Sequence, residues 1–458
     1  MKEQLDLYLD HLSQHTLHEV SKKDRLRIWN IVERNNAVAK ILSNPTFRKI
    51  VKRKRELTKG VSLGYVFCID GRIPAIFIGG RFARHFEIPA GEITVIKRKS
   101  DGKIIPDSSD LNEALRRISI NKDDLLEIVY AHTTLSNLHH GCGAMMAKQK
   151  AHLIDPKANL VEANLKIIEE ISIPAITNIY NEFREQLGIE PLKVVCVSAV
   201  YDTETFGIVL NFNLKEESLS TTELTNRYKE GLDEYFIKSN LIFGSFREKF
   251  TDLKYLTAFS QNVLKVIEAI LDGKVEKNLL GEVEQYLSKY YPDLTKSQSQ
   301  AFRFVLIRNI ALQYLTGLSK LKKVDHAFSK HEESYMAVAM RGATIGKFDP
   351  QSQGFASTPS NPGQAIENIN TMISIMGFGR VNKSYILFVC NSVNSRDLKE
   401  NNQVLQRIMG SNAGLLRDIV EDKGLGVMIE KGEIIPVPVL IEEDNREVLK
   451  VIDHSGYI

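Results

Sequence analysis

Two largely apolar runs, each closing in a loop that carries thiols or imidazoles, constrain this chain more than any other feature. Val61 to Ile69 ends in Cys68-Ile69-Asp70-Gly71-Arg72. Leu125 to Tyr130 runs through Ala131 into His132 and is followed by His139-His140-Gly141-Cys142-Gly143. Runs of this length and apolarity suit strands buried on both faces. Ile93 to Ile96, Val194 to Val200 and Ile208 to Phe212 read as further strands, with helical stretches at Glu162 to Ile171 and Ile176 to Leu187. Strands alternating with helices predict an α/β fold with a mostly parallel sheet and flanking helices. In such a sheet the chemistry gathers where strands give way to loops, where both motifs lie.

Four segments are expected along the chain. Residues 1–60 read as an N-terminal helical domain, with Ser21-Lys22-Lys23-Asp24 resembling a capping box before Ile28, Trp29, Ile31 and Val32. The cluster Lys52-Arg53-Lys54-Arg55 reads as a solvated helix face. Residues 61–218 form the α/β domain that carries the motifs. Residues 219–320 read as a helical insert, with one apolar stripe through Val263, Leu264, Val266, Ile267 and Ile270 and another through Phe302, Val305, Leu306 and Ile310.

Residues 321–458 return to strands at Tyr335 to Met340 and Tyr385 to Cys390 and echo the first α/β segment. The strand through Met340 resembles the one ending in Cys68. The strand ending in Cys390-Asn391 resembles the one ending before His132. Gly410-Ser411-Asn412-Ala413 resembles Gly141-Cys142-Gly143-Ala144. The metal-capable side chains are replaced, by Ala339 or Met340, by Asn391, and by Ser411 or Asn412. A duplicated fold whose second copy is metal-free explains this pattern; coincidence between two α/β halves is the alternative.

Composition narrows the function classes. The chain has 458 residues, 43% hydrophobic and 26% charged, which is ordinary for globular proteins and enough for more than one core. A net charge of +3 gives no electrostatic footprint for nucleic acid. No apolar run approaches the ~18 residues of a membrane span. The N-terminal residues lack the apolar stretch of a signal peptide, and four cysteines fit a reducing compartment, so a cytoplasmic location is expected.

Two of those cysteines, Cys68 and Cys142, sit in the two motifs. Two thiolates and one imidazole form a tetrahedral zinc site with a fourth position left for water. Asp70 and Arg72 read as a dyad that orients that water; without the cysteines they would read as a plain ion pair at a strand end. Cys196 and Cys390 fall inside apolar strands and read as core thiols.

Cys68-x-Asp70-x-Arg72, followed by Cys142-Gly143-Ala144-Met145, resembles the β-class carbonic anhydrases. Pro89 to Lys97 is similar to the segment after their first motif. The order of segments, with Asp202-Thr203-Glu204-Thr205, is nearest to the carboxysomal shell branch of that family. The resemblance implies hydration of CO2 to bicarbonate through zinc-bound hydroxide, with Zn2+ as cofactor. It implies Cys68, Cys142 and a histidine as ligands, and Asp70 held by Arg72 as the catalytic pair. The family's His-x-x-Cys spacing selects His139, whereas the divergent branches place the histidine at a strand end, which selects His132. The strand end is the more rigid mount. Tyr130 and Phe67 are candidates for lining a CO2 pocket.

The same resemblance leaves room for hydrolysis of carbonyl sulfide or carbon disulfide. It also leaves room for a non-catalytic bicarbonate-binding or carbon-uptake subunit. Small-molecule substrate, no nucleic acid, no membrane span and a homodimer are the expected partner relations. The metal-free repeat is expected to pack against the catalytic segment as an internal pseudo-partner.

Overall fold

A computed structural model describes residues 1–16, 19–42, 59–68, 84–87, 95–98, 104–106, 124–133, 142–190, 193–203, 205, 207–212, 218–238, 262–263, 265–275, 277–318, 335–340, 344–345, 354–357, 359, 361–377, 384–393, 402–442 and 447–453. Helices α1 (Lys2–His15) and α2 (Lys22–Leu42) open the chain. Strands β1 (Val61–Phe67), β2 (Arg84–Glu87), β3 (Val95–Arg98), β4 (Ile104–Pro106) and β5 (Asp124–Thr133) follow. Helices α3 (Gly143–Lys150), α4 (Leu160–Ile167) and α5 (Ile173–Gln186) lead to β6 (Val194–Asp202), β7 (Ile208–Leu210) and β8 (Leu219–Ser220). The helical middle holds α6 (Thr221–Arg227), α7 (Lys229–Lys238), α8 (Lys277–Tyr290) and α9 (Lys296–Leu318). Then come β9 (Tyr335–Val338), β10 (Gly354–Ser357), α10 (Pro362–Gly377), β11 (Tyr385–Val393), α11 (Asn402–Glu421), α12 (Leu425–Glu430), β12 (Ile434–Glu442) and β13 (Val448–Val451).

These elements make a mixed α/β fold with two large, mostly parallel sheets. The first has the order β2-β1-β5-β6-β7-β8 and the second β10-β9-β11-β12-β13. In each, the first four strands are parallel and the next joins as an antiparallel neighbour. The two sheets thus share one order and one set of directions over five strands. β3 and β4 form a separate antiparallel pair, so the strand expected near Ile93 to Ile96 stands outside the main sheet.

Burial on both faces explains the apolar strands. On β5, Leu126, Ile128 and Tyr130 face one core, while Leu125, Val129 and Ala131 face another. The second core is closed by Val161, Leu165 and Ile168 and by Ile176, Ile179 and Tyr180 of α5. Asn159 caps α4, its side chain accepting from the amides of Val161 and Glu162. A π turn at Ile168–Ser172 joins α4 to α5 just before Pro174, which has no amide hydrogen to continue the regular ladder.

The first core is shared by both sheets. It joins Leu126 and Tyr130 to Phe302, Leu306 and Ile310 of α9, and these to Val338, Leu387 and Val389 of the second sheet. α9 is buried around nearly all of its circumference from Ala301 to Leu315, as a central helix must be. Gln298, fully buried near its start, donates to the carbonyls of Leu125 and Lys193, tying the helix to the entry of β5 and β6.

The far face of the second sheet is covered by the N-terminal helices: Leu5, Tyr8, Leu9 and Leu12 with Ile28, Ile31 and Val32 pack on Phe388, Val437 and Val439. β12 carries Pro436 and Pro438, residues that ordinarily exclude a central strand. Both are tolerated because their backbones turn away from β11. The Tyr8 hydroxyl donates to the Pro436 carbonyl at 2.7 Å, and the Ile452 amide donates to that of Pro438 at 2.9 Å. The missing amide hydrogens therefore cost no bond to β11.

The helical middle begins one step later than its apolar pattern suggests. Leu219 and Ser220 first pair with β7, and Ser220 then caps α6 by accepting from the Glu223 amide. Among the described residues no helix is long and apolar enough to cross a membrane.

Candidate metal centre

The described residues of the two motifs meet at the C-terminal edge of the first sheet. β1 and β5 are parallel neighbours, with Val66 opposite Val129, so Cys68 and His132 leave the same edge. His132 shares the β5 face of Leu126, Ile128 and Tyr130 by the two-residue period. Cys142 is the residue before α3, and its carbonyl accepts the Met146 amide at 2.9 Å, the first bond of that helix. The third donor thus stands at a helix N-terminus, where the backbone dipole favours an anionic sulfur.

Cys68, His132 and Cys142 are all buried, and their ligand atoms lie within 4.8 Å of one another. The two sulfurs are 3.2 Å apart. A tetrahedral zinc ion with bonds of about 2.3 Å to sulfur and about 2.0 Å to nitrogen sets its donors about 3.5–3.8 Å apart. The sulfurs would have to part by about 0.6 Å to sit on one tetrahedral ion, and all three donors lie close enough to share it. Two soft thiolates and an imidazole suit zinc and other thiophilic ions.

Charged and aromatic groups outside the motif residues stand near the cluster. Lys148 on α3 feels Cys68; burial draws its pKa below the ordinary lysine value, and the sulfur's negative charge opposes that shift. Tyr201 stands opposite His132 in the β5–β6 pairing. Tyr65, Tyr130 and Tyr201 form a layer on the same face. The rings of Tyr65 and Tyr130 stack at 5.9 Å, and those of Tyr130 and Tyr201 meet edge-on at 6.4 Å. Arg308 of α9 is buried against this layer; burial lowers its pKa and the three tyrosines oppose the shift. Burial also holds Tyr130 and Tyr201 well above the ordinary phenol value.

The equivalent edge of the second sheet is built from amides. Asn391 donates to the Ile408 carbonyl and Asn412 to that of Val389. Asn412 lies inside the continuous helix α11, whereas Cys142 precedes α3. Among the described residues, Cys68, His132 and Cys142 are the one group of metal-capable side chains brought together. Cys390 is buried in β11 and accepts from the Ile345 amide at 3.4 Å. Cys196 lies in β6, where burial pushes its thiol up to about 12.

Asp70, Arg72, His139 and His140 lie outside the described residues, as do Lys52 to Arg55 and Pro89 to Thr94. Tyr201, Arg308 and Lys148 were not singled out by motif. Arg308 had a signal: with Arg303 it is one of two charges set among the apolar residues from Phe302 to Ile310. No protein-family model matches the chain, and no curated protein matches it.

Proposed function

We propose that the chain is a zinc-dependent carbonic anhydrase, interconverting CO2 and bicarbonate at the Cys68–His132–Cys142 cluster. The observation that carries this reading is the convergence of two thiols and one imidazole, all buried, with donor atoms within 4.8 Å. Zinc held by those three donors supplies Lewis acidity that makes water nucleophilic near neutral pH. The strand end of β5 fixes the imidazole, and the helix N-terminus and Lys148 favour negative charge on the sulfurs.

Asp70, two residues beyond Cys68, is assigned as the hydrogen-bond acceptor that aims the attacking water, and Arg72 as the cation that keeps Asp70 ionised. Tyr130, on the same β5 face as His132, is assigned to the apolar lining that would receive uncharged CO2. The two sheets of common strand order around one core are read as a catalytic half and its metal-free internal partner.

The test is zinc content by elemental analysis together with stopped-flow CO2 hydration, on the wild-type chain and on Cys142→Ala. One zinc per chain, with rapid hydration lost in the variant, is the expected result. Zinc without hydration would overturn the CO2 reading and leave hydrolysis of carbonyl sulfide or carbon disulfide, or a non-catalytic zinc-containing subunit, as the readings to test. A chain that takes up no zinc would remove the metal assignment altogether.

A further inference from the structure

We propose that Cys68 and Cys142 close into a reversible disulfide when no metal separates them, so that the cluster is also an oxidation-sensitive gate on metal uptake. The consequence for uptake rests on the metal reading above; the disulfide itself rests on sulfur geometry alone. The two sulfurs lie 3.2 Å apart, though 74 positions separate them in sequence. A disulfide needs about 2.05 Å, so the sulfurs must approach by about 1.2 Å. The chain has four cysteines. The other two are held elsewhere, Cys196 packed against the α4–α5 core and Cys390 in the core beneath the N-terminal helices.

Both sulfurs are buried, Cys68 at 0% and Cys142 at 1% exposure, so the oxidant class that fits is small and uncharged, namely hydrogen peroxide. One sulfur attacks a peroxide oxygen and displaces hydroxide, becoming a sulfenic acid. The other sulfur then attacks the sulfenic sulfur, forms the S–S bond and releases that oxygen as water. Two thiols and one peroxide give one disulfide and two waters, the sulfurs losing two electrons and the peroxide gaining them. A dithiol reductant reverses the step and is itself oxidised to a disulfide. With an ion bound, both sulfur lone pairs are engaged and the pair is protected. Once oxidised, the chain keeps only His132 of the three donors and cannot take the metal back.

The experiment treats the zinc-loaded chain and the chelator-stripped chain with hydrogen peroxide in parallel. Thiols are counted after denaturation, intact mass is measured, and peptides are mapped. Expected is a fall from four thiols to two in the stripped chain, a mass loss of about 2 Da, and a peptide joining Cys68 to Cys142. Dithiothreitol should restore four thiols and zinc uptake, and the zinc-loaded chain should keep all four. Retention of four thiols by the stripped chain, oxidation of the pair to sulfinic acids without a link, or a link to Cys196 would each overturn the proposal. Zinc uptake without a disulfide overturns the gate and leaves the metal reading intact. A disulfide in a chain that never takes up zinc overturns the metal reading and leaves the disulfide standing. The wild-type peptide map decides without requiring any cysteine variant to fold.

Discussion

Tyr201 stands directly opposite His132 in the parallel β5–β6 ladder, so a fully buried phenol and the cluster imidazole share one face at one sheet edge. The hydroxyls of Tyr201 and Tyr130 are buried and have no hydrogen-bond partner among the described residues. A buried hydroxyl left unsatisfied costs about 1–3 kcal/mol. Tyr201→Phe and Tyr130→Phe are therefore expected to raise the thermal midpoint of the chain, each by the equivalent of about 1 kcal/mol. A lowered midpoint would show that the hydroxyl anchors a buried water or ligand.

Metal removal should destabilise the chain. A ligand that binds only the folded state adds about 2.7 kcal/mol at a hundredfold excess over its Kd. Stripping with a chelator is expected to lower the thermal midpoint, and added zinc to restore it. Cys142→Ser should abolish the zinc response while the stripped variant melts within a few degrees of the stripped wild type. An equal zinc response in the variant would remove Cys142 from the ligand set.

Gly64 makes room for Glu127. The two are opposite each other on β1 and β5, and a Cβ at position 64 would overlap the Glu127 carboxylate. Glu127 is fully buried, so it cannot swing into solvent. Gly64→Ala should cost on the order of 1–3 kcal/mol, the range for overpacking in a core. Adding Glu127→Ala should recover part of that loss; equilibrium denaturation of both variants measures it. Full tolerance of Gly64→Ala would contradict the close approach.

Gln298 fixes α9 to the sheet through its two carbonyl contacts, and its own Oε1 accepts the Thr295 amide at 2.9 Å. Gln298→Ala is expected to cost about 1–3 kcal/mol, because the Leu125 carbonyl loses its side-chain donor, while that of Lys193 keeps the Leu125 amide. Amide exchange at the starts of β5 and β6 should speed up in the variant. Unchanged exchange there would show that the helix is held by packing alone.

Asp233 gives a pH-dependent check on the helical middle. Partial burial pushes its carboxyl up, but hydrogen bonds from Lys229 and from the Tyr314 hydroxyl outweigh this and hold it below the ordinary value. A depressed carboxylate stabilises the fold above its unfolded pKa, about 3.9, and loses that contribution as pH falls through its lowered folded value. Asp233→Asn should therefore be less stable than wild type at neutral pH, with the gap closing below about pH 4. A gap that persists in acid would mean that packing, not charge, is responsible.

Much of the architecture is legible from residue pattern. Continuous apolar character gave β1, β5, β6, β9 and β11, because a strand covered on both faces has no polar side. β12 was not legible, since Pro436 and Pro438 argue against a strand until Tyr8 and the Ile452 amide are seen on their carbonyls. β2 and β10, four residues each, are too short to carry a period. The two-residue strand before α6 is set by pairing with β7, which local sequence does not encode.

The sequence alone determined that Cys68 follows an apolar strand, that His132 closes another, and that Cys142 lies in a loop motif downstream of the second; the helix that begins at Gly143 was seen only in the structure. The first three are local matters of apolar runs and turn residues. Tertiary structure decided that the three donors come within 4.8 Å, because parallel pairing of β1 with β5 sends both strand ends to one edge. It also decided that Tyr201 stands beside His132 and that Arg308 meets the tyrosine layer, since each arrives from an element distant in sequence, and that Lys148, carried on the helix after Cys142, comes near Cys68. Periodicity specifies which face of an element is buried; only the packed sheets and α9 specify which buried groups share that face.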